Sequence, residues 1–209
     1  MNEIDRIKAD ISKLSNYFDN FELRPPKYNQ IDKLSKQYND ITIEVVNFYN
    51  FCDGFNAHLE DSYQGNIISL EDHLEYLNQI YSEEFPLFNT LFPIREDGCG
   101  NFDCIVFFKG LGNNSVIFND SDYGLPSYIL ASSLGSYISF LTEDLILRYH
   151  PNGKIKPEFD IENPNPVDTD WPFNPKKMII KDQELVKLYQ DKNYSLLFYE
   201  PEQLIKYLD

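Results

Sequence analysis

Histidine and cysteine are the residue types most suited to catalysis, and in this sequence neither follows a catalytic spacing. The histidines are His58, His73 and His150. The cysteines are Cys52, Cys99 and Cys104. No HExxH or CxxC pattern occurs, and an odd number of cysteines gives no disulfide framework. We therefore expect a protein that is not an enzyme and that carries no cofactor.

Aspartate and asparagine side chains cluster in two loop-like segments, which raises the question of a calcium site. One segment contains Asp97, Asn101 and Asp103, and the other contains Asp120 and Asp122. Calcium prefers such oxygen ligands, but neither segment has the ordered loop spacing that ends in a glutamate. Because aspartate and asparagine also stabilise turns by bonding to their own backbone, we predict turns here and no metal site.

The charge of the chain is strongly negative and unevenly distributed. The formal net charge is −16 over 209 residues. Residues 51–150 contain fifteen acidic and three basic residues, which gives −12 for this segment alone. Nucleic-acid binding requires basic residues that neutralise phosphates, so the segment favours a basic protein as partner. The alternative is that the charge serves solubility only.

The N-terminal part has the apolar spacing of helices. Apolar residues recur every three or four positions over residues 3–21, which predicts a first helix. Pro25 and Pro26 end this pattern, and a short helix is expected to follow around residues 31–38.

A third helix is expected at residues 43–51. Thr42 is a suitable N-cap for it, and Val46, Phe48 and Tyr49 are expected to face inward. Gly54 then ends the helix, because glycine readily adopts the left-handed conformation of a helix C-terminus.

The middle of the chain alternates between short β-like runs and turn residues. A short strand is expected at residues 66–69, and Ser69 is expected to cap a helix that extends to about residue 83. Further strands are predicted at residues 92–94, 102–109, 115–118 and 128–131. The run at 102–109 is almost continuously apolar, which indicates a central strand. Ser132 or Ser133 then begins a helix that ends near Arg148.

The C-terminal part begins with six prolines between residues 151 and 175, which indicates an extended connector. Trp171 lies in this connector and is expected to pin it to the domain. A helix is expected from residue 182 to about 190, between two strands and before a last helix. We predict one domain over residues 1–150 and an α/β extension over residues 151–209 that packs on it. The N-terminus has no signal sequence and no apolar run is long enough to span a membrane, so we expect a cytoplasmic protein.

Four motifs, in a consistent order, resemble the SUKH superfamily, the immunity proteins related to the fungal cell-wall-assembly regulators. Residues 46–55 read VNFYNFCDGF, like the family helix that ends in N-G-G or N-G-F. Residues 91–102 read LFPIREDGCGNF and resemble the family's P-I-x-x-D-G-x-G-D/N segment. A strand pair with an acidic turn follows, and residues 131–141 read ASSLGSYISFL, like the family's A-S-S-x-x-x-Y/F-I-x-F-L. Asn101 stands where the family has aspartate, and the tail from Pro151 has no counterpart.

The resemblance implies an α+β fold with a mixed, mainly antiparallel sheet flanked by helices. It implies an immunity protein that binds and neutralises a cognate toxin, often a nuclease. The alternative is a scaffold or regulatory binding module of the cell-wall-assembly-regulator type. We expect the partner surface to include the acidic residues at turns beside the central strands, namely Glu96, Asp97, Asp103, Asp120 and Asp122.

Overall fold

The computed structural model describes residues 2–38, 41–60, 64–73, 91–107, 114–120, 125–160, 162–167 and 181–190. They form an α+β fold, as the sequence predicts. The helices are α1 (Glu3–Tyr17), α2 (Tyr28–Gln37), α3 (Ile43–Phe51), α4 (Leu134–Arg148) and α5 (Gln183–Gln190). One sheet contains β1 (Glu22–Leu23), β2 (Phe55–Asn56) and β3 (Asn66–Ile67), and the other contains β4 (Leu91–Glu96), β5 (Phe102–Val106), β6 (Val116–Asp120) and β7 (Leu125–Ala131). Every described strand pair is antiparallel.

Helix α1 ends four residues earlier than the apolar spacing predicts. Phe18 is already extended, although its N–H still bonds to the carbonyl of Leu14. The chain leaves the helix because the Asp19 N–H bonds to the Pro151 carbonyl at 2.8 Å. Phe21 therefore lies in the segment that leads into β1. Its ring packs against Phe55 of β2 and does not continue the apolar face of α1.

Helix α3 has the predicted bounds, but two details differ from the prediction. Val45, not Val46, is fully buried with Phe48 and Tyr49. Thr42 makes no capping hydrogen bond within its own helix, because its hydroxyl donates to the side chain of Asn114. The start of α3 is thus tied to the segment that leads into β6.

The larger sheet has the strand order β4-β5-β6-β7, so β5 is an interior strand as predicted. All five residues of β5 are buried. Pro93 in β4 and Pro126 in β7 lie beside the register shifts of this sheet. Both prolines are on the outer strands of the described sheet, where a missing N–H donor disrupts the ladder least. A hydrogen bond from the N–H of Ile68, just after β3, to the Ile94 carbonyl at 2.9 Å links the smaller sheet to β4 of the larger one.

Helices α1 and α4 pack against each other along their length. The Tyr17 hydroxyl donates to the Tyr149 carbonyl at 2.9 Å. At the other end, the α1 side chain of Glu3 accepts from the Gly135 N–H at 2.7 Å. A Cβ atom on Gly135 would lie 2.6 Å from atoms of Glu3 and Arg6, so glycine permits this close approach.

The C-terminal part contacts the first 150 residues at several described points, among them the bond from Asp19 to Pro151 and a bond from the Glu60 N–H to the Gly153 carbonyl at 2.8 Å. Tyr149 forms an antiparallel bridge with Ile155, and a short 3-10 helix follows at Pro157–Phe159. The predicted helix near residues 182–190 is confirmed as α5. Trp171, the strands predicted on either side of α5 and the last helix lie outside the described residues. The division at residue 150 stays a prediction.

Candidate functional site

The antiparallel order brings the acidic β4–β5 turn and the acidic end of β6 to one end of the larger sheet. Glu96 at the end of β4 is paired with Phe102 at the start of β5. Phe102 is paired with Asn119 of β6, and the next residue, Asp120, is paired with Leu125 of β7. Glu96, at the end of β4, and Asp120, at the end of β6, therefore lie at the same end of the sheet. Strands β4 and β6 are two strand spacings apart, or about 10 Å.

Asp97 builds the β4–β5 turn. One carboxylate oxygen accepts from the Cys99 N–H at 2.8 Å and from the Asn101 N–H at 3.2 Å. The other accepts from the Asn101 side-chain amide at 2.7 Å. Gly98 and Gly100 both have positive φ angles, 84° and 88°, which the turn requires. The turn predicted at residues 97–101 is confirmed, and Asp97 has a structural role in it.

Asp103 is buried inside the molecule and forms an ion pair there. It is 2% exposed and accepts from the Nε atom of Arg95 at 2.6 Å, and Arg95 is itself 2% exposed. The Tyr137 hydroxyl from α4 donates to the same carboxylate oxygen at 2.5 Å. Arg95 also donates to the Gln64 side chain at 3.0 Å. Asp103 therefore presents no carboxylate to a partner, unlike the expectation from its position beside a turn.

Burial and the neighbouring groups shift the pKa of Arg95 in opposite directions. Burial alone lowers the pKa of Arg95, but Asp103 and the Tyr137 hydroxyl outweigh it and raise that pKa above its ordinary value. Burial is also the main cause that raises the pKa of Tyr137, so its hydroxyl stays protonated and remains a donor. The side chains of Arg95, Asp103, Tyr137 and Gln64 thus connect β4, β5, α4 and the segment just before β3 around one charged contact.

The described arginines of the acidic segment are both withdrawn from the surface. Residues 51–150 contain only three basic residues, Arg95, Lys109 and Arg148. Arg148 is 8% exposed and pairs with Asp144 one helical turn earlier in α4. Lys109 lies outside the described residues. Because each of these two arginines is paired with a carboxylate, the pairs cancel, and the rest of the segment still carries −12, from thirteen acidic residues and Lys109.

The three histidines lie apart from one another, as the sequence indicates. His58 and His150 are exposed, and His58 pairs with Glu22 at 3.2 Å. His73 is buried and stacks on Phe92 with 3.8 Å between ring centroids. Burial lowers the pKa of His73 to about 4, so the ring is neutral at pH 7.

The hydrogen bonds of His73 determine which ring nitrogen carries the proton. Its Nδ1 atom lies 3.4 Å from the Pro93 carbonyl, which only accepts, so Nδ1 carries the proton. Nε2 then accepts from the Tyr38 hydroxyl at 3.2 Å. His73 thus has the partners of a core residue, and all of them belong to the packed interior.

Cys52 and Cys104 are buried, and Cys99 is exposed in the β4–β5 turn. Burial raises the pKa of the Cys52 thiol to about 12 and that of the Cys104 thiol well above its ordinary value. Both stay protonated and are therefore poor nucleophiles at neutral pH. Within the described ranges, no group of three or more histidine, cysteine or acidic side chains is placed to hold a metal ion.

Of the five predicted partner-binding residues, the register brings Glu96, Asp97 and Asp120 to one end of the sheet. Asp103 is buried, and Asp122 lies outside the described residues. The sequence reasoning missed Arg95 as the partner of Asp103. A signal was present, because Arg95 and Asp103 flank the predicted turn at positions that face each other in a hairpin.

Comparison with known proteins yields no family model that matches the chain. No curated protein matches it either. In the part of the chain that the structure describes, no helix is long and apolar enough to cross a membrane.

Proposed function

We propose that this chain is a binding protein of the immunity type, which neutralises a basic toxin domain by covering it with the acidic end of the larger sheet. The site consists of Glu96, Asp97 and Asp120, with Asp122 expected beside them, and is called the acidic sheet end below. The resemblance to the SUKH superfamily suggests that the partner is a toxin. The strand register supports the choice of the acidic sheet end as the binding site. We further propose a non-catalytic, cytoplasmic protein.

One observation carries the proposal: three acidic residues of the middle segment, Glu96, Asp97 and Asp120, meet at one end of the larger sheet, while its two described arginines are held in ion pairs of their own. Arg95 and Arg148 are held in internal ion pairs and are not available to neutralise that end. A concentrated negative potential speeds the encounter with a basic partner and selects against acidic ones.

The roles of the acidic residues differ, and this decides which ones a test should change. Asp103 supports the hairpin from inside and is excluded from the surface. Asp97 holds the turn together, so its replacement would alter both charge and shape. Glu96 and Asp120 lie at the ends of their strands, where a charge change leaves those turn bonds in place. We therefore expect them to report on binding most directly.

The test uses the full-length chain and the toxin domain encoded beside its gene. The double variant Glu96→Lys/Asp120→Lys should weaken binding at least about tenfold, because it places like charges opposite a basic surface. Calorimetry at two salt concentrations measures the affinity, and co-expression with the toxin measures protection of growth. The loss should be larger at low salt, where charges are screened less.

The matched control is Glu158→Lys/Glu162→Lys, which makes the same change in charge on an exposed segment after α4. It should keep the affinity within about threefold of wild type. If both double variants weaken binding equally, only the total charge matters and the site is wrong. If neither does, the acidic sheet end takes no part in binding.

The scaffold alternative predicts a different outcome of the same experiment. A scaffold of the regulator type would not bind the neighbouring gene product or protect against it, whatever the charge at the acidic sheet end. Wild-type protein that fails both measurements would therefore contradict the immunity proposal itself.

A further inference from the structure

Helix α5 is attached to the start of α4 by a carboxylate. Both oxygens of the Asp182 side chain accept from Ser132, one from its N–H at 2.9 Å and the other from its hydroxyl at 2.6 Å. Asp182 is 5% exposed and also accepts from the Leu185 N–H at 3.1 Å, which caps its own helix. One buried carboxylate thus both binds the segment before α4 and caps the N-terminus of α5.

Leu185 supplies the most deeply buried apolar contact of this attachment. It is 1% exposed and belongs to the hydrophobic core, and Leu188 one turn later is partly buried and packs against the same core. Two ion pairs of this segment, Lys181 just before α5 with Glu143 and Lys187 with Glu184, are exposed. Exposed pairs contribute little, so Asp182 and Leu185 are the main anchors.

The surface beneath α5 has the chemistry of a receptor for such a helix. It lies where the first turns of α1 and α4 meet. Arg6 and the hydroxyl groups of Ser132, Ser133 and Ser136 line a cleft of about 530 Å³ there, together with Asp182, Leu188 and other residues of the α5 segment. Arg6 donates to Ser136 at 3.3 Å through its terminal nitrogen. Its buried Nε atom has no hydrogen-bond partner among the described residues. The positive end of the α4 dipole adds to the preference for an acidic ligand.

Helix α5 has only eight residues, and isolated helices shorter than about 12 residues are marginal in water. Its helical state therefore depends on docking. The connector before it, with its six prolines, tethers α5 near the cleft and raises its local concentration there.

We propose that the junction of α1 and α4 is a binding site for the N-terminus of a helix that begins with Asp-x-x-Leu. The chain's own residues 181–190 occupy the site in this structure, and a partner helix of the same chemistry reaches it by displacing them. The site is separate from the acidic sheet end and does not depend on the proposed toxin.

The test supplies the segment from outside. A labelled peptide of residues 179–192 is added to the full-length chain that carries Asp182→Ala and Leu185→Ala. Without both anchors, the tethered helix no longer competes, so the variant should bind the peptide at least about tenfold more tightly than wild type does. Adding Ser132→Ala to the variant should lower that affinity about tenfold, because it removes a hydrogen bond to a charged group. Fluorescence anisotropy measures both.

Hydrogen exchange measures the docking directly. Exchange in α5 should be faster in the anchor variant, while β5 keeps its protection and shows that the domain is folded. The matched control Glu184→Ala/Lys187→Ala removes two exposed side chains of the same helix and should behave like wild type. Protection of α5 that survives the loss of both anchors would overturn the proposal. Two further results would also overturn the proposal. One is that the labelled peptide binds the anchor variant and the wild type equally tightly. The other is that a peptide lacking Asp182 and Leu185 binds the anchor variant as tightly as the original peptide does.

Discussion

At the scale of single residues, the ion pair between Arg95 and Asp103 is the contact that most affects the interpretation of the sequence. An aspartate beside a predicted turn normally faces water, and in this chain it faces α4. The low local dielectric strengthens the attraction between the two charges, but each has also lost its hydration. Tyr137 and Gln64 make up part of that loss through hydrogen bonds. The pair is therefore costly to break and has limited net benefit.

We expect Asp103→Ala to lower the free energy of unfolding by about 3–5 kcal/mol, because it leaves the buried charge of Arg95 unpaired. Chemical denaturation measures the loss. The double variant Arg95→Met/Asp103→Leu removes both charges and should be clearly more stable than Asp103→Ala. Glu162→Gln, on the exposed segment after α4, is the surface control and should change stability by less than about 0.5 kcal/mol. An Asp103→Ala protein as stable as this control would contradict the assigned role of the pair.

At the scale of elements, the passage from α3 to β2 shows how one glycine joins a helix to a sheet. Gly54 has a φ angle of 78°, as expected for the residue that ends this helix. The structure adds a second requirement, because a Cβ atom at this position would lie 2.2 Å from the Ile67 carbonyl oxygen. The small sheet thus packs directly on the turn. Arg24 seals the same place with a hydrogen bond from Nε to the Asp53 carbonyl at 3.0 Å.

Gly54→Ala should therefore destabilise the protein by more than the roughly 1–2 kcal/mol that a left-handed non-glycine residue costs. The added methyl group must also push β3 away. Gly98→Ala is the matched control, because Gly98 has a similar φ angle of 84° but lies exposed in the β4–β5 turn. It should show the conformational cost alone. Equal losses in thermal unfolding of the two variants would rule out the steric contribution at Gly54.

At the scale of the whole molecule, stability depends on keeping His73 neutral within an aromatic cluster. Phe92 lies between His73 and Tyr49, and Tyr38 and Phe107 complete the group. The cluster joins α2, α3 and β4. In the unfolded chain a histidine takes up a proton near pH 6.5, whereas burial holds the folded pKa at about 4. Between these values the unfolded state binds more protons, so stability falls as the pH falls.

We expect the free energy of unfolding of the wild type to drop by about 1 kcal/mol per pH unit more than that of His73→Phe between pH 6 and 4.5. Above pH 7.5 the two proteins should show the same pH dependence. Their free energies of unfolding should then differ only by a constant amount, which reflects the hydrogen bonds that the substitution removes. Denaturation curves at several pH values measure it. The control His150→Gln removes an exposed histidine and should keep the wild-type slope. Parallel curves for wild type and His73→Phe would contradict a neutral buried His73.

Through the family resemblance, the sequence predicted the α+β class. By itself it determined the bounds of α3, the turn at residues 97–101 and the start of α4. Each of these depends on neighbours within a few positions: apolar spacing, a capping serine, or a glycine that must adopt positive φ. Local spacing was insufficient at the end of α1, where a bond from Asp19 to Pro151 turns the chain. Local spacing also does not show whether Val45 or Val46 is fully buried, because burial depends on which elements pack against α3.

Only the tertiary structure decided which acidic residues are buried and which are brought to one end of the sheet. Asp103 and Asp120 look alike in the sequence, since each lies beside a turn in a strand. Packing of α4 buries the first against Arg95, and strand order brings the second to the same end of the sheet as Glu96. Burial and strand order arise from contacts between residues far apart in the chain, so local patterns do not contain them. The same holds for Asp182, whose partner Ser132 lies fifty positions earlier.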